Sequence, residues 1–410
     1  MSERYSHRKA TERIRFNDAA GNALANADVK VKLVNHKFLF GSGANDFIPP
    51  FEMTEEEKAN CPIPSDKFDI IDGISRKWLD LYNYGTMHFY WGTYEPVEGQ
   101  TRFENHMRTA KYFRKNGVKV KGHPLCWHTV CADWLMKYDN ATILSKQLDR
   151  INRDVSAFKG VIDYWDVINE VVIMQVYDRY DNAVTRICKD LGRIRLVKEV
   201  FDAAKAANPD AVLLINDFNL SESYRILIDG LLNAGVPVSA IGIQTHQHQG
   251  YMGKEKLEDI LDRFSFFGLP LHFTENTLIS GELMPPEIVD LNDYQPDEWP
   301  STPEGEERQL KEWKEMYEIL FDHPLVEAIT GWDFVDGAWL GAPSGLIRKD
   351  GTAKPAYYEL KRLVKEEWTT DYTVHTDSDG YAEVTGFKGD YEAAFKNSDG
   401  SDGKTSFTLG

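Results

Sequence analysis

Two apolar runs that each stop at a carboxylate constrain this chain more than any other feature: Tyr164-Trp165-Asp166-Val167-Ile168-Asn169-Glu170 and Leu271-His272-Phe273-Thr274-Glu275. Each reads as a buried strand with an acid at its tip. The acids lie more than a hundred residues apart, so they meet only in a fold that curls strand ends into one mouth. A closed barrel of parallel strands does this, because its working residues sit at the C-terminal ends of the strands. Two carboxylates converging there suit glycosidic bond cleavage, one protonating the leaving oxygen and the other attacking or stabilising the sugar cation. A single such run is an ordinary strand end, so the case rests on its neighbours.

Short β-rich runs alternate with amphipathic stretches, as in repeated strand–helix units. Eight strands are predicted. They are residues 38–40 before Gly41-Ser-Gly-Ala-Asn45, 85–89 before Tyr90-Trp91, 118–121 before Gly122-His-Pro-Leu-Cys-Trp-His128, 163–169, 212–215 before Asn216-Asp217, 240–243 before Gln244-Thr-His246, 271–274, and 328–330 before Gly331-Trp332. Nearly all end in His, Asn, Gln, Glu or Trp, which argues for one shared site. A helix is predicted over 192–207, where Leu196, Val197, Val200, Phe201 and Ala204 recur at helical spacing before Asn208-Pro209.

The ends read differently. Residues 14–33 are strand, glycine turn, strand, and from 371 onward short alternating runs surround Asp377-Ser-Asp-Gly and Asn397-Ser-Asp-Gly turns. Neither end alone has enough strands to bury a face, so they are expected to pair as one small β-sandwich. The expected organisation is 1–34 and 369–410 in that sandwich, with 35–368 forming an α/β (β/α)8 TIM barrel.

Among 410 residues the net charge is −18. That excess disfavours nucleic acid and anionic membrane surfaces as partners and is indifferent to a neutral polysaccharide. Ten Trp and 19 Tyr offer faces that stack on sugar rings, although core burial explains most aromatics. The four cysteines have no paired spacing for disulfides or zinc. The N-terminus lacks the apolar stretch of a signal peptide, so a cytoplasmic location is expected if Met1 is the native start, and secretion with the signal removed otherwise.

Gly122-His-Pro-Leu-Cys-Trp-His128, Trp165-Asp-Val-Ile-Asn-Glu170, Ile243-Gln-Thr-His246, Phe273-Thr-Glu275 and Lys354-Pro-Ala-Tyr-Tyr358 resemble, in order and spacing, the motifs of glycoside hydrolase family 10, the endo-β-1,4-xylanases, from about residue 38 to 363. The resemblance implies a (β/α)8 barrel, retention of anomeric configuration and a xylan-type β-linked substrate; no cofactor or metal is expected. Position by position it makes Glu170 the acid/base and Glu275 the nucleophile. It places His123, Trp127, Asn169, Gln244, His246 and Trp332 around the sugar beside the cleaved bond, with Trp339 as a roof.

Each assignment has a plainer competitor. His123 and His128 can be core histidines, and Gln244 and His246 can be structural caps. The run Thr245-His246-Gln247-His248 also invites a metal reading, since alternate strand residues share a face, but the other strand ends offer Glu and Trp in place of a carboxylate–histidine cluster. A barrel that binds carbohydrate without turnover is a further alternative.

The departures from the family bear on substrate. The family usually has Glu-Asn-x-Met-Lys-Trp after its second strand, with Lys, Asn and Glu gripping sugars on the non-reducing side. Here the stretch is Thr86-Met-His-Phe-Tyr-Trp91, which exchanges charged grips for apolar and aromatic surface. Lys121 stands for the usual Arg, Phe218 for Tyr, and Asn276-Thr277 for an apolar residue and Asp. A long loop over 276–303, rich in proline and acids and carrying Trp299, is expected to narrow the cleft. Short or decorated fragments, or another β-linked glycan or aryl β-glycoside, are therefore expected to suit the site better than plain polymer.

Overall fold

The computed structural model describes residues 4–44, 47–397 and 399–410. Asn45 at the first predicted strand tip, Ser398 in the last predicted turn, and Met1 lie outside the described residues. The strands in chain order are β1 (Lys9–Arg15), β2 (Asp28–His36), β3 (Leu39–Gly43), β4 (Tyr84–His88), β5 (Lys119–His123), β6 (Tyr164–Asn169), β7 (Val212–Asp217), β8 (Ala240–Ile243), β9 (His246–Gln247), β10 (Leu271–Leu278), β11 (Val326–Gly331), β12 (Asp371–His375), β13 (Tyr381–Phe387), β14 (Gly389–Lys396) and β15 (Asp402–Leu409). Eight of these, β3 to β8 with β10 and β11, run parallel in order, and pairing of β11 with both β10 and β3 closes a TIM barrel. Strands covered on both faces read as continuous apolar runs, as in Val212–Asp217, where Leu213, Leu214 and Ile215 are wholly buried.

Helices such as Phe68–Leu81, Phe103–Lys115, Asn140–Ala157, Arg193–Ala207 and Pro303–Asp322 separate the strands. The helix predicted from 192 starts at Arg193, and Gly192 occupies its N-cap with φ 78°, a conformation that favours glycine. Gly122 is needed for another reason: a β-carbon there would lie 2.1 Å from the Trp165 ring. That close approach lets β5 and β6 pack so that His123, one residue on, meets Asp166.

Two corrections concern strand ends. The run to Glu275 does not stop there, since β10 continues to Leu278. Its register against β11 shifts between Phe273 and Asn276, after which Asn276 pairs with Gly331 while Thr277 and Leu278 pair with β9. The loop predicted over 276–303 accordingly begins after strand, at residue 279, and ends where Pro303 opens a helix capped by the Thr302 hydroxyl.

The termini form antiparallel sheets: β1 with β13, and β12, β2, β14 and β15 in that order. Val29, Val31 and Leu33 of β2 and Tyr391, Ala393 and Phe395 of β14 are buried on one face, and Phe407 packs on both Phe16 and Tyr391. These sheets sit at the strand-start end of the barrel, where the Arg8 guanidinium donates to the carbonyls of Phe321, His323 and Val326. The mouth at the opposite end is left clear.

Candidate active site

Polar side chains at the C-terminal ends of β6, β7, β8 and β10 are tied into one network. Asn216 Nδ2 donates to Asn169 Oδ1 (2.9 Å) and Glu275 Oε1 (2.6 Å), while Thr274 Oγ1 donates to Asn216 Oδ1 (2.6 Å). Gln244 Nε2 also donates to Asn169 Oδ1 (2.9 Å). With its oxygen doubly engaged, Asn169 keeps an Nδ2 donor with no partner among the described residues. The buried carboxylate of Glu275 has a second support: His246 Nε2 lies 3.0 Å from Oε2. Because a carboxylate only accepts, the ring proton belongs on Nε2.

Next to Glu275 lies a buried cluster of ionisable groups. Asp166 Oδ2 stands 2.7 Å from both Lys121 Nζ and His123 Nδ1, and His123 Nδ1 stands 3.9 Å from Glu275 Oε1. Burial alone raises Asp166, but the Lys121 charge and the His123 contact outweigh it and hold the carboxyl below its ordinary value. Glu275 follows the same logic: burial pushes it up, and His123, His246 and Lys121 together bring it below the usual glutamate value.

Glu170 is shifted the other way. Its backbone adopts φ 56°, uncommon for a residue with a side chain, and its N–H donates to the Asn216 carbonyl (2.8 Å). Strained residues of this kind gather at functional sites. Trp127 Nε1 donates to Glu170 Oε2 at 2.8 Å. Burial first, then the charge on Glu275, and to a lesser degree Asp217, push Glu170 up to about 8 against the opposing bonds from Trp127 and Gln244. Two glutamates in one site thus have opposed protonation states near neutral pH, a pattern that separates an acid from a nucleophile.

The other half of the mouth is aromatic. His88 stacks on Tyr90 with ring centroids 5.0 Å apart, Tyr90 packs on Trp127 at 5.3 Å, and Trp332 packs on His88 at 5.2 Å and His123 at 5.3 Å. Trp339 lies 4.6 Å from the His246 ring. Thr86 and Met87, in the places of the family's Glu and Asn, are fully buried.

All nine residues singled out from sequence (Glu170, Glu275, His123, Trp127, Asn169, Gln244, His246, Trp332 and Trp339) converge on this mouth through these contacts. His128 does not join them and packs on Tyr177 at 4.3 Å. His248 turns its Nδ1 to Thr277 Oγ1 at 3.2 Å, and among the described residues no three His, Cys, Asp or Glu side chains are grouped to hold a metal ion. Sequence reasoning undervalued Asn216, the hub of the network, and the Lys121–Asp166 pair. The available signal was a charged residue inside each of two adjacent buried strands, which demands a partner.

The sequence matches Glycosyl hydrolase family 10 over residues 86–363. It is 27% identical to endo-1,4-beta-xylanase B of Thermotoga neapolitana over 68% of this chain and 78% of that protein. It is 26% identical to the anti-sigma-I factor RsgI6 of Acetivibrio thermocellus over 94% of this chain, which spans 44% of that longer protein. The fold superposes on xylanase 10B from Thermotoga petrophila RKU-1, solved in complex with xylobiose, with a TM-score of 0.62 and 23% identity over 81% of this chain and 95% of that one. With the family matched over about two thirds of the chain, from within β4 through β11 and including Glu170 and Glu275, the chain belongs to glycosyl hydrolase family 10 and is an endo-xylanase-like glycosidase.

Proposed function

We propose that the protein hydrolyses β-1,4-xylosidic bonds with retention of configuration, acting on short or decorated xylan fragments. The observation that carries this reading is the opposed protonation of Glu170, pushed up to about 8, and Glu275, held below its ordinary value. Glu275 attacks the anomeric carbon as Glu170 gives its proton to the leaving oxygen, forming a glycosyl ester. Esterification removes the Glu275 charge that helps keep Glu170 protonated, so Glu170 then ionises and takes a proton from the attacking water. The free Nδ2 of Asn169 supplies a donor for the sugar 2-hydroxyl, a bond that strengthens in the transition state. His246 and Asn216 hold one oxygen each of Glu275 and fix its angle of attack.

The substrate class draws support from the relatives' xylanase names and from the xylobiose bound to the Thermotoga petrophila enzyme. The preference for short pieces rests on this chain's own loops. Segment 279–302 folds on a small core of Ile279, Met284, Trp299 and Ala342. It is tied to the loop after β9 through Gln249 Nε2, which donates to the Pro285 and Ile288 carbonyls. From there it reaches the loop after β6, where Arg179 pairs with Asp290 and, at 2.7 Å, with Asp293. A strap tied in this way from the end of β10 to the loop after β6 is the feature we read as narrowing the mouth.

The test is product analysis across xylan, arabinoxylan, xylotriose to xylohexaose and aryl β-glycosides, with the anomer followed by NMR during the first minutes. A β-anomer formed first on xylo-oligosaccharides is expected; an α-anomer first, or activity confined to non-xylose glycosides, overturns the reading. A carbohydrate-binding barrel without turnover is a second reading, kept because a relative matched over nearly the whole chain is named as an anti-sigma factor and not as an enzyme. Xylo-oligosaccharide binding without hydrolysis at any pH would establish it.

A further inference from the structure

Beside the mouth, on the side where the family resemblance places sugars on the non-reducing side of the scissile bond, a cavity of about 360 Å³ opens between the ends of β3, β4 and β11 and the helices behind them. Its inner wall includes Ile74 and Trp78 of helix Phe68–Leu81, Phe113 of helix Phe103–Lys115, and Phe334 after β11; His88 and Trp332 belong both to this cavity and to the catalytic mouth. A group entering it is therefore continuous with a sugar held against Glu275.

The wall is mostly rings and aliphatic side chains, with the Ser75 and Tyr112 hydroxyls, His88, Tyr90 and Asp333 as its polar groups. The Trp78 indole N–H is spent on the Gly43 carbonyl at 3.0 Å, so the ring offers only its faces and edges. Asp333, the acid on the wall, accepts from Ser344 Oγ at 2.5 Å and from the Trp339 backbone. Thr86 and Met87, where the family carries its polar grip, are buried beneath the surface. Those few scattered polar groups do not match the ring of hydroxyls of a pyranose pushed in here, and each hydroxyl left unmet loses its water without return. An aromatic ring has no such cost and gains edge and face contacts. The volume lies at the lower end of the roughly 300–1,000 Å³ range of small-molecule sites, enough for one ring and a short tether.

Resting on the reading of the mouth as a retaining glycosidase, we propose that this cavity binds an aromatic ring carried as an ester or ether on the sugar chain, on the non-reducing side of the bond to be cut. Recognition of the decoration then replaces the missing polar grip on a bare second sugar, and the substrates of choice are aromatically substituted fragments.

The experiment compares kcat/KM for xylotriose with that for xylotriose bearing a benzoyl or cinnamoyl ester on its non-reducing-terminal sugar. The wild type is expected to favour the acylated trisaccharide at least tenfold. Ile74→Trp, and independently Ala338→Trp at an exposed position on the opposite rim, are expected to fill the cavity and cut that ratio at least tenfold. A wild-type preference for bare xylotriose, or a ratio unmoved in both folded variants, overturns the proposal. If no substrate turns over, the reading of the mouth fails separately. The cavity is then read by titration calorimetry on Glu275→Ala, where the acylated trisaccharide should bind at least tenfold tighter than the bare one and equal affinity overturns the proposal.

Discussion

The two halves of the barrel mouth solve different problems with different chemistry. Around β6, β7, β8 and β10 polar side chains pin one another: Asn216 holds Asn169 and Glu275, Gln244 holds Asn169, and His246 holds Glu275. Around β3, β4 and β11 the surface is rings in van der Waals contact, His88, Tyr90, Trp332 and the cavity behind them. A hydrogen-bonded network tolerates little change, because removing one member strands another buried polar group. An aromatic wall exchanges members at the cost of shape alone. The difference explains how a chain keeps its family's chemistry while its recognition surface drifts.

If the polar half carries the chemistry, the largest loss comes from Glu275→Ala, with turnover falling below detection on natural oligosaccharides. Azide should partly restore cleavage of an activated aryl glycoside and give the α-glycosyl azide, since a small anion fills the vacated space and attacks from the same face. Near-normal activity without azide would break the comparison at once.

Next in size is Glu170→Ala, expected to cost about 10²–10⁴-fold on substrates with poor leaving groups and far less on activated aryl glycosides, which need no proton. Equal losses on both classes would remove Glu170 from the role of acid.

The pH profile sharpens the same half. The proposed mechanism needs Glu170 protonated and Glu275 ionised. With Glu170 at about 8, kcat/KM should fall as pH rises through that value, and it should fall on the acid side only below the ordinary glutamate range, where Glu275 gains its proton. Asp217, itself pushed up to about 7 by burial, adds to the rise of Glu170. Asp217→Asn should therefore move the alkaline limb to lower pH, while substitutions in the aromatic half, such as Ile74→Trp, should leave the limb in place. A limb unmoved by Asp217→Asn would show that burial and Glu275 alone set it.

The barrel was legible in the chain because parallel strands must be apolar on both faces, and runs such as Val212–Ile215 admit no other reading at that length. The acids were legible because a carboxylate ending such a run demands a reason. The extent of β10 was not, since Asn276 and Thr277 look like the end of a strand by composition. They extend it only because Asn276 Nδ2 donates to the carbonyls of Phe273 and Thr330 and because β9 supplies an edge. Asn216 likewise looked like one more strand-end amide. Its role as hub depends on two other strands, β6 and β10, placing Asn169, Thr274 and Glu275 around it, a fact of barrel closure that no local pattern carries.

The smallest expected effect lies where the two halves are bridged. Arg179, in the loop after β6, pairs with Asp290 and Asp293 of segment 279–302, and all three side chains are 40% or more exposed. Exposed pairs contribute little to stability and are screened by salt, so Arg179→Ala should leave the melting temperature unchanged. Its effect should appear in substrate choice, because the pair ties the outer part of the strap to the far side of the mouth while Gln249 and the Trp299 core anchor its inner part. Releasing the outer tie lets long chains lie across the mouth more often, raising the ratio of kcat/KM on polymeric xylan to that on xylotriose by about two- to fivefold, the scale set by an exposed ion pair. High salt should move the wild type in the same direction and the variant hardly at all. A ratio unchanged by both treatments would mean that the strap is held by its own packing, and that the proposed preference for short pieces has to reside in the aromatic half.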